Sequence, residues 1–131
     1  MTIELDVQNL IRIEAAKIGM YLWRNNNGSL PDENGRWVRY GLGNDSKAAN
    51  ETYKSSDLIG IWHGRFVSIE CKAADWVNPW LTTNRRKPNA REIAQKNWLD
   101  CVIREGGLGC FATSWNDCIN AFNGLGVKIM P

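Results

Sequence analysis

The feature that most constrains the fold is a central stretch that predicts a β-hairpin. Residues 57–62 (DLIGIW) and 65–72 (RFVSIECK) are rich in branched and aromatic side chains, and His63 and Gly64 lie between them. Two such runs separated by two residues are typical of a tight hairpin, because Gly accepts a positive φ and His tolerates it better than most residues. We therefore expect two antiparallel strands joined by a two-residue turn.

This turn fixes which residues face each other at the open end of the hairpin. Counting back from it, Asp57 lies opposite Glu70, and Lys72 projects from the same face. Opposed side chains start about 5 Å apart at Cβ, so the two carboxylates repel each other unless a positive charge lies between them. Mg²⁺ would suit this place, since it takes one or two carboxylates with waters and phosphate. On spacing alone, a solvated surface cluster of three ions explains the pattern equally well.

Periodic patterns on both sides of the hairpin predict further helices and strands. We expect helices over 4–18, 90–105 and 115–123, and strands over 20–24, 36–41 and 108–113. Residues 42–56 and 73–89 lack a clean period and are predicted as loops. The resulting order, α-β-β-β-β-α-β-α, predicts an α/β fold with a mixed sheet flanked by helices, in a single domain over 1–131.

The charge distribution is more informative than the net charge of +2. Residues 85–96 hold five basic side chains and a single acid, Glu92; the basic residues are Arg85, Arg86, Lys87, Arg91 and Lys96. Such clusters are commonly solvated surface, but they also suit the phosphates of a nucleic acid. The sequence therefore leaves DNA binding open without requiring it.

Several classes of protein are not expected. There is no apolar run of 18 residues, and the opening MTIELDVQNL lacks a basic region, so we expect no membrane span, no signal peptide and a cytoplasmic location. The four cysteines have no CxxC spacing, which argues against zinc and, in a reducing compartment, against disulfides. We expect them to be small buried hydrophobic residues.

Two motifs at the open end of the hairpin resemble a known family. Residues 55–60 (SSDLIG) and 69–72 (IECK) are similar to the core of the PD-(D/E)XK nucleases, and more closely to the VRR-NUC branch, the virus-type replication and repair nucleases. Similarity to stand-alone phage members extends to residues 4–19, 23–28 (WRNNNG), 39–42 (RYGL), Gln95 and 105–107 (EGG). The resemblance spans nearly the whole chain in order. It implies a restriction-endonuclease-like α/β fold and, if the chain is phage-encoded, a place in the bacterial host cytoplasm.

The resemblance also implies a role for each matching site residue. Asp57 and Glu70 would bind Mg²⁺ or Mn²⁺, together with the backbone carbonyl of Cys71, and Lys72 would be the catalytic lysine. Gln95 would reach the site from its helix. Glu4 would correspond to the N-terminal acid that helps at the metal site of related resolvases. Glu14 competes for that role, and its place on the apolar stripe of the first helix predicts that it is buried.

Candidate DNA contacts lie around this site. They are Arg24, Asn25, Asn26, Ser56 and the basic residues Arg85, Arg86, Lys87, Arg91 and Lys96. For 24–26, a polar turn is an equally good interpretation. Segments 43–54 and 73–89 are longer than the family pattern, and the second combines Trp76 and Trp80 with basic residues. That combination suits unstacked bases, although a loop packed by its own side chains is about as good an explanation.

The resemblance predicts a metal-dependent, structure-specific DNA endonuclease of the Holliday-junction-resolvase type, acting as a homodimer on branched DNA. Symmetric cutting needs two active sites, which a chain this small supplies only by pairing. Two alternatives stay open, a phage nicking or general endonuclease and a non-catalytic DNA-binding module. An enzyme that uses His63 as general base on an unrelated substrate is disfavoured, because His63 lies at the turn, far from the carboxylates.

Overall fold

A computed structural model describes residues 3–81 and 86–129 of the chain. In chain order, its elements are α1 (Glu4–Lys17), β1 (Tyr21–Arg24), β2 (Gly28–Pro31), β3 (Trp37–Tyr40), α2 (Lys47–Thr52), β4 (Leu58–Trp62), β5 (Arg65–Cys71), α3 (Ala90–Arg104), β6 (Leu108–Ala112) and α4 (Trp115–Gly124). One sheet has the order β1-β4-β5-β6, and β2 pairs with β3 in a separate ribbon. Strand β6 runs parallel to β5, whereas the other pairs are antiparallel. The predicted α/β class, with a mixed sheet flanked by helices, is confirmed.

The central hairpin forms with the predicted register. Pairs run from Trp62 opposite Arg65 to Leu58 opposite Ile69. The turn residues His63 and Gly64 have φ values of 49° and 77°, the left-handed pair that a tight hairpin turn requires. The register matters because it decides which side chains of β5 reach each face of the sheet.

Strand β5 separates the apolar core from a polar face. Val67, Ile69 and Cys71 are fully buried with residues of α1 and α4, such as Ile11 and Phe122. The alternate residues point to the other face, where α3 packs; the indole Nε1 of Trp98 donates to Ser68 Oγ at 2.9 Å. Burying the apolar side chains against α1 and α4 therefore commits Glu70 to the side of α3.

Helix capping agrees with the sequence. Asn89 caps α3 in a capping box with Glu92, and the Ser114 side chain caps α4. The described cysteines are all free, and only Cys101 is partly exposed. No helix within residues 3–81 and 86–129 is long and apolar enough to cross a membrane.

Two elements were not predicted. Strand β2 (GSLP) contains Gly and Pro, which disfavour strands, and it forms because β3 pairs with it and Asn44 holds the base of the ribbon. Helix α2 lies in the segment predicted as a loop and begins at a Ser46 cap. Because it buries no side chain, its sequence has no apolar period from which a helix could be predicted.

Candidate active site

The ends of β4 and β5 bring Asp57 and Glu70 together. Asp57 comes one residue before β4, and its Oδ2 accepts a hydrogen bond from the backbone N–H of Cys71 at 3.0 Å. Its own carbonyl accepts from the N–H of Asn25 at 2.8 Å, which ties the end of β1 to the same point. Both bonds hold Asp57 in the register that places it beside Glu70.

Glu70 is a buried carboxyl group in an unfavourable place for a charge. Burial raises its pKa well above the ordinary value, and the charge of Asp57 and a hydrogen bond to it raise the pKa further. The charges of Lys72 and Arg91 lower the pKa of Glu70, but by less than burial and Asp57 raise it. Glu70 therefore favours its protonated form in the absence of a cation.

A glutamine links this pair to the lysine. Lys72 Nζ donates to Gln95 Oε1 at 2.8 Å, and Gln95 Nε2 donates to Glu70 Oε1 at 3.0 Å. Lys72 and Gln95 are buried, as is Glu70. The amide has one orientation in this chain, since its oxygen faces the ammonium group and its nitrogen faces the carboxyl group. A solvated surface cluster of ions does not describe these buried side chains.

Aromatic rings enclose the lysine on its other side. Lys72 Nζ lies 5.7 Å from the ring centroid of Trp76 and 5.9 Å from that of Phe111. Trp80 stacks on Phe111 with centroids 5.3 Å apart. The rings favour a cation electrostatically and leave Lys72 little room to move. Trp76 and Trp80 are partly exposed and pack on Phe111 of β6, a contact that neither interpretation of this segment predicted.

Glu92 holds Trp76 in place. Its carboxylate accepts from Trp76 Nε1 at 2.9 Å, from the Asn89 N–H at 3.0 Å, and from both terminal nitrogens of Arg86. Hydrogen bonding to Arg86 is the main reason why the pKa of Glu92 falls to about 2. A carboxylate at the start of α3 therefore fixes the ring that lies over Lys72.

An open cleft of about 820 Å³ lies over the carboxylates. Asp57, Glu70 and Gln95 line it together with Arg91 and the β2–β3 ribbon. Lys54 and Asn50 line it as well, although they bond to each other. We call this the central cleft. It gives a ligand access to the two carboxyl groups.

The predicted DNA contacts near β1 have different environments. Asn26 is exposed and lines the cleft, whereas Arg24 is exposed and does not line it. The Asn25 side chain is occupied within the fold, since it donates to Ser55 Oγ and to the carbonyl of Ser56. Ser56 is buried, and its Oγ has no hydrogen-bond partner among the described residues. Of these four, Asn26 is placed best for a ligand in the cleft.

The described residues of the basic cluster have different environments. Arg91 lines the cleft, and Lys87 is exposed. Arg86 bonds to Glu92, while Lys96 pairs with Asp100 and lies near the Trp80 ring. Arg85 lies outside the described residues. Arg86 therefore has a structural role, which its position in the sequence did not suggest.

The two N-terminal acids are not part of the carboxylate pair. Glu4 is exposed at the start of α1, yet near enough to be one of the charges that raise the pKa of the buried Cys71 thiol. Glu14 is not buried as predicted, because it points outward and pairs with Lys17 at 2.8 Å. Residues 3–81 and 86–129 contain no group of three His, Cys, Asp or Glu side chains arranged for a metal ion.

The residues present fit a divalent cation that prefers oxygen ligands. Asp57 and Glu70 offer two facing carboxyl groups whose mutual repulsion a divalent cation would remove. Mg²⁺ and Mn²⁺ accept such a set, because carboxylate, carbonyl and water oxygens are the ligands they favour. The Cys71 thiol is protonated and faces the core, so that only its backbone could contribute.

Parts of this site were missed in the sequence. Phe111 lies in the last strand of the sheet and carries no motif. Glu92 could have been found, because it stands three residues after Asn89, the position that completes a capping box.

Comparison of the chain with models of known protein families, with curated proteins and with solved structures found no match. The resemblance in the motifs stays a prediction.

Proposed function

We propose that this chain is a metal-dependent endonuclease that hydrolyses phosphodiester bonds in DNA. The observation that carries the proposal is the chain of contacts from the partly buried Asp57 and the buried Glu70 through Gln95 to Lys72, beneath an open cleft. A fold gains little from burying a glutamate beside a second carboxyl group, or from burying a lysine. A reaction at a phosphate, in contrast, can use both the carboxyl groups and the lysine.

Each side chain has a separate task in this proposal. Asp57 and Glu70 would hold Mg²⁺ or Mn²⁺, with the Cys71 carbonyl as a further ligand. The ion supplies a Lewis acid and lowers the pKa of a bound water. Lys72 orients the attacking water and stabilises the negative charge that develops on the phosphate. Gln95 holds Lys72 and Glu70 at a fixed separation, and Arg91 supplies positive charge to the cleft.

The substrate we propose is branched DNA, cut by a homodimer of the Holliday-junction-resolvase type in the cytoplasm. This part rests on the motifs and on the symmetry argument, since two cuts across a junction need two sites. Nicking or general endonuclease activity is the alternative within the class. The mass of the protein in solution tests the dimer.

A cleavage panel tests the proposal. Purified protein is incubated with a four-way junction, a flap, a nicked duplex and a linear duplex, in Mg²⁺, in Mn²⁺ and in excess chelator. We expect cleavage of branched DNA in both metals and none with the chelator. Binding without cleavage of any substrate would instead identify a DNA-binding module. Equal rates on branched and linear DNA would favour a general endonuclease.

Replacing Lys72 with methionine separates catalysis from binding. Lys72→Met keeps a side chain of similar length between Trp76 and Phe111 but removes the ammonium group, so we expect cleavage to fall by about a hundredfold or more while DNA binding persists. Lys17→Met is the matched control, because Lys17 is exposed and bonds only to Glu14 among the described residues. Undiminished cleavage by Lys72→Met would remove the lysine from the mechanism.

A further inference from the structure

Helix α2 adds no side chain to the hydrophobic core. Its residues, Lys47–Thr52, are all at least partly exposed. Two hydrogen bonds to α3 nevertheless hold its C-terminal end. The Asn97 side chain donates to the Thr52 carbonyl at 3.0 Å, and the backbone N–H of Lys54 donates to the Ala94 carbonyl at 3.0 Å. Burial of apolar surface therefore does not explain why this segment is held in one place.

What the α2 segment contributes to the central cleft is a lysine and an asparagine. Lys54 and Asn50 both line the cleft. The backbone bond to Ala94 places Lys54 beside α3. Arg91 precedes Ala94 by three residues on that helix and lines the cleft as well. Lys54 and Arg91 therefore lie on the same side of the cleft.

The ammonium group of Lys54 has hydrogen bonds left for a ligand. It donates to Asn50 Oδ1, a neutral oxygen, and forms no salt bridge within residues 3–81 and 86–129. An ammonium group has three donors, so the bond to Asn50 holds it in place without neutralising its charge. The side chain is also half-buried, which limits the conformational entropy that it loses when a ligand binds.

The charges that line the cleft favour an anion. Among the described residues they are three cations and two carboxyl groups: Arg39, Lys54, Arg91, Asp57 and Glu70. The Arg39 guanidinium group is held by Asn44, which leaves Lys54 and Arg91 for a ligand. Asp45 and Glu51, the acids of the α2 segment, are exposed and do not line the cleft. A divalent cation on the two carboxyl groups would make the cleft more positive still.

We propose that Lys54 binds a DNA phosphate next to the one that is cut, with Asn50 holding its ammonium group and Arg91 beside it. This inference rests on the proposed nuclease function and extends it to the α2 segment, which the sequence motifs do not include. A contact to the DNA backbone carries no direct information on base sequence. Lys54 therefore adds affinity for branched and linear DNA alike.

The test is Lys54→Gln, with DNA binding measured by fluorescence anisotropy on a four-way junction and a linear duplex at several salt concentrations. Losing one phosphate contact should weaken binding about fivefold at low salt and lower the slope of log K against log [salt] by about 0.9. Lys54→Arg keeps the charge and should retain most of the affinity. Lys47→Gln is the matched control, since Lys47 belongs to the same segment but is exposed and lies outside the cleft; neither quantity should change.

Excess chelator in every binding assay separates this inference from the nuclease proposal, because no cleavage is expected there. Weaker binding of both DNAs by Lys54→Gln, with a smaller salt dependence, supports the inference whether or not the protein cuts DNA. Unchanged affinity and slope overturn it, and cleavage by the wild-type protein would then leave the nuclease proposal standing. A loss confined to one of the two DNAs, or an equal loss in Lys54→Arg, also overturns it, by assigning Lys54 a different role. Absence of DNA binding by the wild-type protein overturns both proposals.

Discussion

Glu92 offers a quantitative test of how the site is supported. Glu92→Gln keeps the shape of the side chain and one acceptor oxygen, but removes the negative charge that faces Arg86 and an acceptor for Trp76 or Asn89. The carboxylate is almost completely buried, so the lost bonds are not replaced by water. We expect the variant to be less stable at neutral pH.

The size and pH dependence of the loss follow from the pKa. A fall from the ordinary value of 4.5 to about 2 corresponds to at most about 3.4 kcal/mol of stability at neutral pH. The Arg86 side chain is 37% exposed, and screening by water reduces the figure to about 1.5 kcal/mol. Because the folded-state pKa is lowered, this stability is fully present above pH 4.5 and disappears as the pH falls towards 2. By pH 3, one unit above the folded-state pKa, the difference should be about two fifths of its neutral value.

Urea unfolding followed by tryptophan fluorescence measures the difference at pH 7 and at pH 3. The control is Asp100→Asn, which breaks an exposed pair with Lys96 and should cost under about 0.5 kcal/mol at either pH. Glu92→Gln should also lower cleavage, since Trp76 loses its anchor beside Lys72. If its stability loss is the same at both pH values, or no larger than that of the control, the role assigned to Glu92 is wrong.

Two further predictions concern the chain of contacts and the hairpin turn. Gln95→Leu leaves the Lys72 ammonium and Glu70 carboxyl groups without their shared buried partner, so we expect a loss of about 1–3 kcal/mol in urea unfolding and a fall in cleavage; full stability would contradict the contact. His63→Asn places a residue more tolerant of positive φ at the turn and should raise stability by up to about 0.5 kcal/mol with no change in cleavage rate; lost cleavage would restore His63 as a candidate base.

Much of the fold could be predicted because its signals are local. The turn chemistry of His63 and Gly64 specified the hairpin and its register, and side-chain caps specified where α3 and α4 begin. The ribbon could not be predicted in the same way. Its first strand contains Gly and Pro, and the contact that holds it comes from Asn44, which lies beyond both strands.

The candidate site likewise has a part that local sequence predicts and a part that it does not. Register arithmetic was enough to place Asp57 opposite Glu70, since both belong to one hairpin. The aromatic enclosure of Lys72 depends on Trp76 and Phe111, which come from a loop and from the last strand. Arg86 looked like a phosphate ligand in the sequence because its partner, Glu92, was counted only as the one acid in a basic cluster. Contacts between distant segments carry no signature in a single sequence.

The alternation of β5 has a consequence for how this chain tolerates changes of length. Ile69 faces the core and Glu70 faces the cleft, so inserting or deleting one residue between the turn and Glu70 would exchange their places. A carboxyl group would enter the core at the same moment as the cleft lost it. Segments between the strands lack this alternation, so a change of length there does not exchange the two faces of β5. Viable length variants of this protein should therefore cluster in its loops, with the strand between Arg65 and Cys71 kept at a constant length.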